Sequence, residues 1–145
     1  MHHLSVAGVV LDSRRHVLLV ERRDTRDWQI PGGILEESES VEAGLTREIL
    51  EETGLRVQPL KLTGLYKNVR LHSLAMVFLC VVEGGTLLGE TDETVDARWF
   101  DVPSAVEACD GMFALRFIDA MSPDCSPVIR THDGTVVLST MFDSP

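Results

Sequence analysis

Through the first hundred residues, short aliphatic and β-branched runs alternate with polar breaks, which is the pattern of strands. Leu4 to Leu11 and Val17 to Val20 flank Asp12-Ser13-Arg14-Arg15-His16 and read as a β-hairpin with a polar connection. Leu55 to Tyr66 reads as a strand bent near Pro59, since proline has no N–H to give a ladder. Asn68 makes a turn, Val69 to Val82 is a long central strand, and Glu83-Gly84-Gly85-Thr86 turns the chain again. The polar loop Gly89 to Thr94 leads into a short strand, Val95 to Phe100. Helical spacing surfaces at separated points. Val41, Leu45 and Ile49 share one stripe at about 100° per residue, with Ser40 as N-cap and Gly54 as the left-handed C-terminal residue. Pro103 to Cys109 opens with Pro-Ser, suited to a first turn, and Met112 to Met121 repeats Leu115, Ile118 and Met121 as a second covering helix. Strands outnumber helices, which predicts a mixed sheet covered by helices on two faces. Beyond the loop Ser122 to Pro127, Val128 to His132, Asp133-Gly134 and Thr135 to Thr140 form a strong hairpin signal. Residues 122–145 are expected to be an extension of the domain formed by 1–121, packing on its sheet edge or on a second subunit of a homodimer.

Composition narrows the classes. The 145 residues fit one domain, and 44% hydrophobic with 25% charged content is that of a soluble globular chain. A formal charge of −10 argues against a nucleic-acid-coating surface, which needs clustered Lys and Arg. No apolar run approaches membrane-spanning length, so no membrane association is expected. Met1-His2-His3-Leu4 lacks the basic-then-apolar order of a signal peptide, leaving a cytoplasmic location as the expectation. Cys80, Cys109 and Cys125 match neither a disulfide framework nor a zinc pattern, and Cys80 sits in an apolar run as a core residue would.

The acids on the first helix change this picture. Glu52 projects into the Val41–Leu45–Ile49 stripe, Glu48 lies at its edge, and Glu51 lies further round the same side. A carboxylate among apolar neighbours is costly unless a cation or several donors stabilise it. At i, i+3 and i+4 the three also repel one another, and Arg47 offers one positive charge against them. A solvated charged face is the ordinary reading of such a run. A bound divalent cation resolves the conflict better, and hard oxygen ligands suit Mg²⁺ or Mn²⁺. Upstream, Arg22 and Arg23 are either edge-strand solubilisers or phosphate contacts, the latter suggested by their nearness to the glycine turn Pro31-Gly32-Gly33.

Gly33, five residues, Glu39, seven residues, then Arg47-Glu48-Ile49-any-Glu51-Glu52-any-Gly54-Leu55 fill every fixed position of the Nudix box, and the chain resembles the Nudix hydrolase superfamily, MutT-like members included. The resemblance covers about residues 4 to 121. It implies a Nudix α/β/α sandwich and a metal-dependent hydrolase that cleaves a diphosphate bond in a nucleoside diphosphate linked to another moiety. It further implies that Glu48, Glu51 and Glu52 bind Mg²⁺ or Mn²⁺, that the Gly33 carbonyl joins them, and that Glu39 and Arg47 form a structural ion pair. Several members of the family carry a further acid shortly before a Trp-bearing strand, able to reach the metal site. Glu93 stands there relative to Trp99, with Glu90 and Asp92 as competitors and an ordinary acidic loop as the plain alternative. The base that deprotonates water is Glu51, Glu52 or Glu93, with Glu52 and Glu93 leading. The partner implied is a small nucleotide or nucleotide-sugar substrate: a nucleoside triphosphate, ADP-ribose or nucleotide sugar. A non-catalytic Nudix-like regulatory domain is the rival reading, weakened by the intact glutamates. A family isomerase of isopentenyl diphosphate would need a cysteine before the box, and the first here is Cys80.

Overall fold

The computed structural model describes residues 2–124 and 126–143, so Cys125 lies outside the described residues. The elements in chain order are β1 (His3–Leu11), β2 (Val17–Arg22), β3 (Trp28–Gln29), β4 (Gly32–Ile34), α1 (Val41–Thr53), β5 (Leu55–Asn68), β6 (Ser73–Gly85), β7 (Thr94–Phe100), α2 (Val102–Ala108), α3 (Gly111–Ala120), β8 (Val128–His132) and β9 (Val137–Met141). They form a mixed, open sheet between α1 on one face and α2 with α3 on the other, which is the sandwich expected. α1 keeps its expected ends. Ser40 Oγ accepts from the Ala43 N–H at 3.1 Å, and Gly54, at φ 80°, donates its N–H to the Leu50 carbonyl at 2.8 Å.

The alternation of β1 and β2 explains why both read as unbroken apolar runs. Val6, Val10 and Leu18 face α1, where they meet Leu45, Ile49, Val57 and Cys80. Ala7, Val9, Val17 and Leu19 face the other way, onto Ala105, Phe117, Tyr66 and Val77. A strand covered on both faces has no polar side to show. Full burial of an aliphatic side chain contributes about 1.5–3 kcal/mol, so these strands hold the layers together.

Four expectations are corrected. β1 and β2 do not run as a hairpin: they touch at Leu11 and Val17 only, then diverge. β1 pairs in parallel with β6 along its whole length and gives Ser5–Ala7 to β4, while β2 pairs with β7 and β3. Each strand finds longer partners elsewhere, and the gap between them admits Pro31-Gly32-Gly33, with Gly8 N–H donating to the Pro31 carbonyl at 3.0 Å. The central strand starts later than Val69, because Asn68 Oδ1 accepts from the Arg70 and Leu71 N–H groups at 3.0 and 3.1 Å and holds a turn until Ser73. It also ends later, since Gly84 and Gly85 still pair with Arg56 and Leu55. On α3 the buried residues are Ala114, Phe117 and Ala120, not Leu115, Ile118 and Met121. Both faces of that helix are apolar, and the two alanines let it approach closely enough to seat Phe117.

β5 is bent as expected, with a register shift between Pro59 and Lys61 and two others flanking it. β8 adds to β5 in parallel and β9 to β8 in antiparallel fashion, so residues 128–141 continue the sheet at that edge. Arg130 of β8 forks onto Asp119 of α3 at 2.7 and 2.8 Å, and the Tyr66 hydroxyl donates to the same carboxylate at 2.7 Å. Cys80 is fully buried, and burial pushes its thiol up to about 12. Among the described residues no helix is long and apolar enough to cross a membrane.

Candidate active site

The gap between β1 and β2 sets one wall of a cleft of about 670 Å³, lined by Arg22, Arg23, Gly32, Gly33, Glu48 and Glu93 among others. Its floor comes from α1. Glu48 and Glu52 point from the buried side of the helix toward β4, and Glu93 reaches in from the loop before β7. Oxygens of the three carboxylates lie within 4.8 Å of one another. Glu48 is 8% exposed and Glu52 2%, so two of the three charges are withdrawn from water.

Each acid has a different environment. Glu52 accepts one hydrogen bond, from the Gly32 N–H at 3.3 Å, and among the described residues has no salt-bridge partner. Burial pushes its carboxyl up to about 8, against the pull of the Gly32 N–H, with Glu48 adding to the rise. Glu48 is also raised, again chiefly by burial, although Arg47 lies 3.1 Å away and opposes the rise. Glu51 takes no part in the cluster: its side chain is 55% exposed and 3.3 Å from Arg47. Of the loop acids only Glu93 joins the cluster; Glu90 pairs with Arg23 at 3.0 Å, and Asp92 lines the cleft.

Arg47 ties this arrangement to the preceding loop. Its Nε and Nη2 donate to the two oxygens of Glu39 at 2.9 and 2.7 Å, and Glu39 also accepts from the Glu36 N–H at 2.8 Å. The guanidinium fork holds the Glu39 carboxyl down at about 2. The loop that carries Gly33 is thereby fixed against the helix that carries Glu48. A Cβ at Gly33 would run into the Glu48 carboxylate, so a side chain there would have to displace that acid from its place in the cluster.

The two upstream arginines have separate roles. Arg22 lies on the cleft and forks onto Asp24 at 3.0 Å twice, and Glu52 and Glu93 both add to the rise in its pKa. Arg23, which also lines the cleft, is a clasp. Its backbone N–H donates to the Glu93 carbonyl, and its guanidinium donates to the carbonyls of Thr91, Asp92 and Thr94 at 2.9 to 3.3 Å. Thr94, also missed by sequence reasoning, is buried and donates from Oγ1 to the Glu52 carbonyl at 3.3 Å, pinning the Glu93 loop to the end of α1. A threonine opening a strand after an acidic loop was the available signal. Trp28 packs edge-on against Phe100 at 5.1 Å, as a structural residue.

Buried carboxylates without enough donors fit a divalent cation: Glu52 has one N–H, and Glu48 shares Arg47 with Glu39 and Glu51. An open sheet between helices, with such acids under a Pro-Gly-Gly turn, is an arrangement that can hold a divalent cation at the mouth of a cleft. The NUDIX domain profile matches residues 1–121, and the chain belongs to the Nudix hydrolase family, whose enzymes use divalent metal ions. It is 38% identical to a MutT-like protein of Streptomyces ambofaciens over 92% of this chain and 86% of that protein. It is 33% identical to a putative 8-oxo-dGTP diphosphatase of Bacillus subtilis, over 63% of this chain and 61% of that protein. A Nudix hydrolase structure from Nitrosomonas europaea superposes with a TM-score of 0.75 at 20% identity, covering 90% of this chain and 77% of that one.

Proposed function

We propose that this enzyme hydrolyses a phosphoanhydride bond in a nucleoside diphosphate linked to another moiety, with Mg²⁺ or Mn²⁺ held by Glu48, Glu52, Glu93 and the Gly33 carbonyl. The observation that carries it is the convergence of Glu48, Glu52 and Glu93 within 4.8 Å beneath an open cleft. A nucleoside triphosphate is the first substrate class to test, because the relative aligned over most of both chains is named MutT-like. ADP-ribose and nucleotide sugars follow; a relative named ADP-ribose pyrophosphatase, from Methanocaldococcus jannaschii, is 31% identical over 70% of this chain and 64% of that protein.

Bound cations would neutralise the diphosphate and lower the pKa of a water held against it. The chain's own residues do the rest. Arg22 offers a planar cation of the cleft to a phosphate oxygen, its guanidinium already oriented through Nε and Nη2 by Asp24. A carboxylate of the cluster takes the proton as water oxygen bonds to phosphorus and the bridging P–O bond breaks. Glu52 and Glu93 are the two candidates, Glu52 from the buried side and Glu93 from the solvent side. Glu39 and Arg47 hold the loop and helix in register, and Arg23 holds Glu93.

The test is hydrolysis of nucleoside triphosphates, ADP-ribose, nucleotide sugars and dinucleoside polyphosphates with Mg²⁺, with Mn²⁺ and with chelator, the products being identified. Metal-dependent release of a nucleoside monophosphate is the expected result. Binding without turnover of any substrate would refute the reading.

A further inference from the structure

A second, smaller cavity of about 200 Å³ continues from the cleft, sharing Arg22, Gly32 and Gly33 with it and ending on Ser5, Gln29 and Arg116. At that size it holds a fragment of a ligand, since sites for whole ligands run to roughly 300–1,000 Å³. Arg116 is the unexplained group. It sits on α3 amid Met112, Phe113, Leu115 and Phe117, and its guanidinium carbon lies over the rings of Tyr66 at 5.3 Å and Phe113 at 5.4 Å. Its Nε is buried without a hydrogen-bond partner. No salt bridge reaches it among the described residues. The acid one turn on, Asp119, is already taken by Arg130 and Tyr66.

A half-buried cation whose Nε is sealed from water and unpaired beside aromatic rings is costly, and burial pulls its pKa below the ordinary arginine value. The aromatic packing also limits what a ligand can use. With the guanidinium packed on two rings, the rim of in-plane N–H donors is what remains for a partner. That rim fits a planar group with two adjacent acceptors. The adjoining cleft takes the phosphates, so the group arriving here is the distal end of the same nucleotide, its base. Guanine presents O6 and N7 as adjacent acceptors, whereas adenine puts an N6 donor beside N7. We propose that Arg116 is a specificity residue that reads the O6/N7 edge of a 6-oxopurine nucleotide whose phosphates lie over Glu48, Glu52 and Glu93; this rests on the diphosphatase reading.

The experiment measures kcat/KM for dGTP, dITP, 7-deaza-dGTP and dATP on the full chain, Arg116→Gln and Arg116→Lys, with circular dichroism to confirm folding. One bidentate pair discriminates about tenfold or more. The natural chain should therefore favour dGTP and dITP over dATP and 7-deaza-dGTP by about that factor. In Arg116→Gln the dGTP-to-dATP ratio should collapse toward one, and Arg116→Lys should recover only part of it. Calorimetric binding of GMP and AMP to the natural chain and Arg116→Gln needs no turnover and separates the two readings. Hydrolysis with the same dGTP-to-dATP ratio in Arg116→Gln overturns the role of Arg116 and leaves the diphosphatase reading standing. An Arg116-dependent preference for GMP without hydrolysis of any nucleotide does the reverse. Equal binding of GMP and AMP by the natural chain overturns the proposal directly.

Discussion

Replacing Glu52 by glutamine should stabilise the metal-free protein while removing its response to metal. Glu52 has an ordinary carboxylate pKa of 4.5 when the chain is unfolded and about 8 when folded. The folded state therefore binds more protons than the unfolded state between those values, and stability falls as pH rises through that window. Below pH 4.5 the group costs nothing by this route; above pH 8 the full cost is present. A tenfold change in proton affinity corresponds to about 1.4 kcal/mol, which gives a cost on the order of 5 kcal/mol at alkaline pH. For a chain of this length that is on the order of 10 °C or more in Tm. Glutamine keeps the shape and can still accept from the Gly32 N–H, but it cannot ionise.

Thermal unfolding followed by circular dichroism from pH 5 to 9, in chelator and then in Mg²⁺ or Mn²⁺, tests this. In chelator the natural chain should lose Tm steadily across the range and Glu52→Gln should lose much less. A remnant slope of the same sign is expected from Glu48, whose pKa is also raised by burial. With metal at about a hundred times its dissociation constant the natural chain should regain about 2.7 kcal/mol. The variant should gain little. Identical slopes in chelator, or an equal metal response in both proteins, would refute the account of Glu52 as a buried, under-compensated metal ligand. In the activity assay Glu52→Gln should lose turnover by orders of magnitude while folded.

Other perturbations have defined outcomes. Gly33→Ala drives a methyl into the Glu48 carboxylate, so calorimetry should show weakened Mn²⁺ binding; binding equal to that of the natural chain would break the link between that turn and the cluster. Glu39→Gln should flatten the acid limb of the stability profile. The folded pKa of Glu39 is depressed to about 2, so its contribution is full above pH 4.5 and lost as pH falls toward 2. Denaturant titrations at pH 6 and 3 would measure it. Arg130→Met leaves Asp119 buried against Tyr66 without its cation and should cost about 3–5 kcal/mol, read as a lower urea midpoint; a change under about 1 kcal/mol would make the β8 ion pair incidental. Arg23→Ala releases three carbonyls of the Glu93 loop, so kcat should fall more than KM rises, with Tm nearly unchanged.

What could be read from the sequence depended on how local the determining interactions are. α1 was legible to the residue because its cap, its glycine and its stripe all lie within one short segment. The same holds for the paradox of Glu48 and Glu52, which one helical wheel exposes. The hairpin reading of β1 and β2 failed because strand pairing is a contest among all strands: two adjacent apolar runs satisfy a hairpin pattern, yet β6 offers β1 a full-length partner and β7 does so for β2. The Arg22–Arg23 pair shows the same limit at the level of a site. Arg22 ends β2 and Arg23 lies just beyond it; both line the cleft, yet Arg23 gives its guanidinium to carbonyls of a loop some seventy residues away, a partner no local pattern reveals.

That clasp bears on how the site is assembled. Glu48 and Glu52 are fixed by the core, because the stripe beside them carries Leu45 and Ile49 at 0% exposure. Glu93 has no such support; it is exposed on a loop, and loops hold their place only through the bonds they make. Arg23, Thr91 and Thr94 supply those bonds to carbonyls and hydroxyls, leaving the Glu93 carboxylate outside the set. The backbone of the loop is thus held through bonds in which the Glu93 carboxylate takes no part, beside two carboxylates seated in the core. Such an arrangement suits a group that must approach a cation or a proton in turn, and the split between kcat and KM in Arg23→Ala reads how much of that placement the clasp provides.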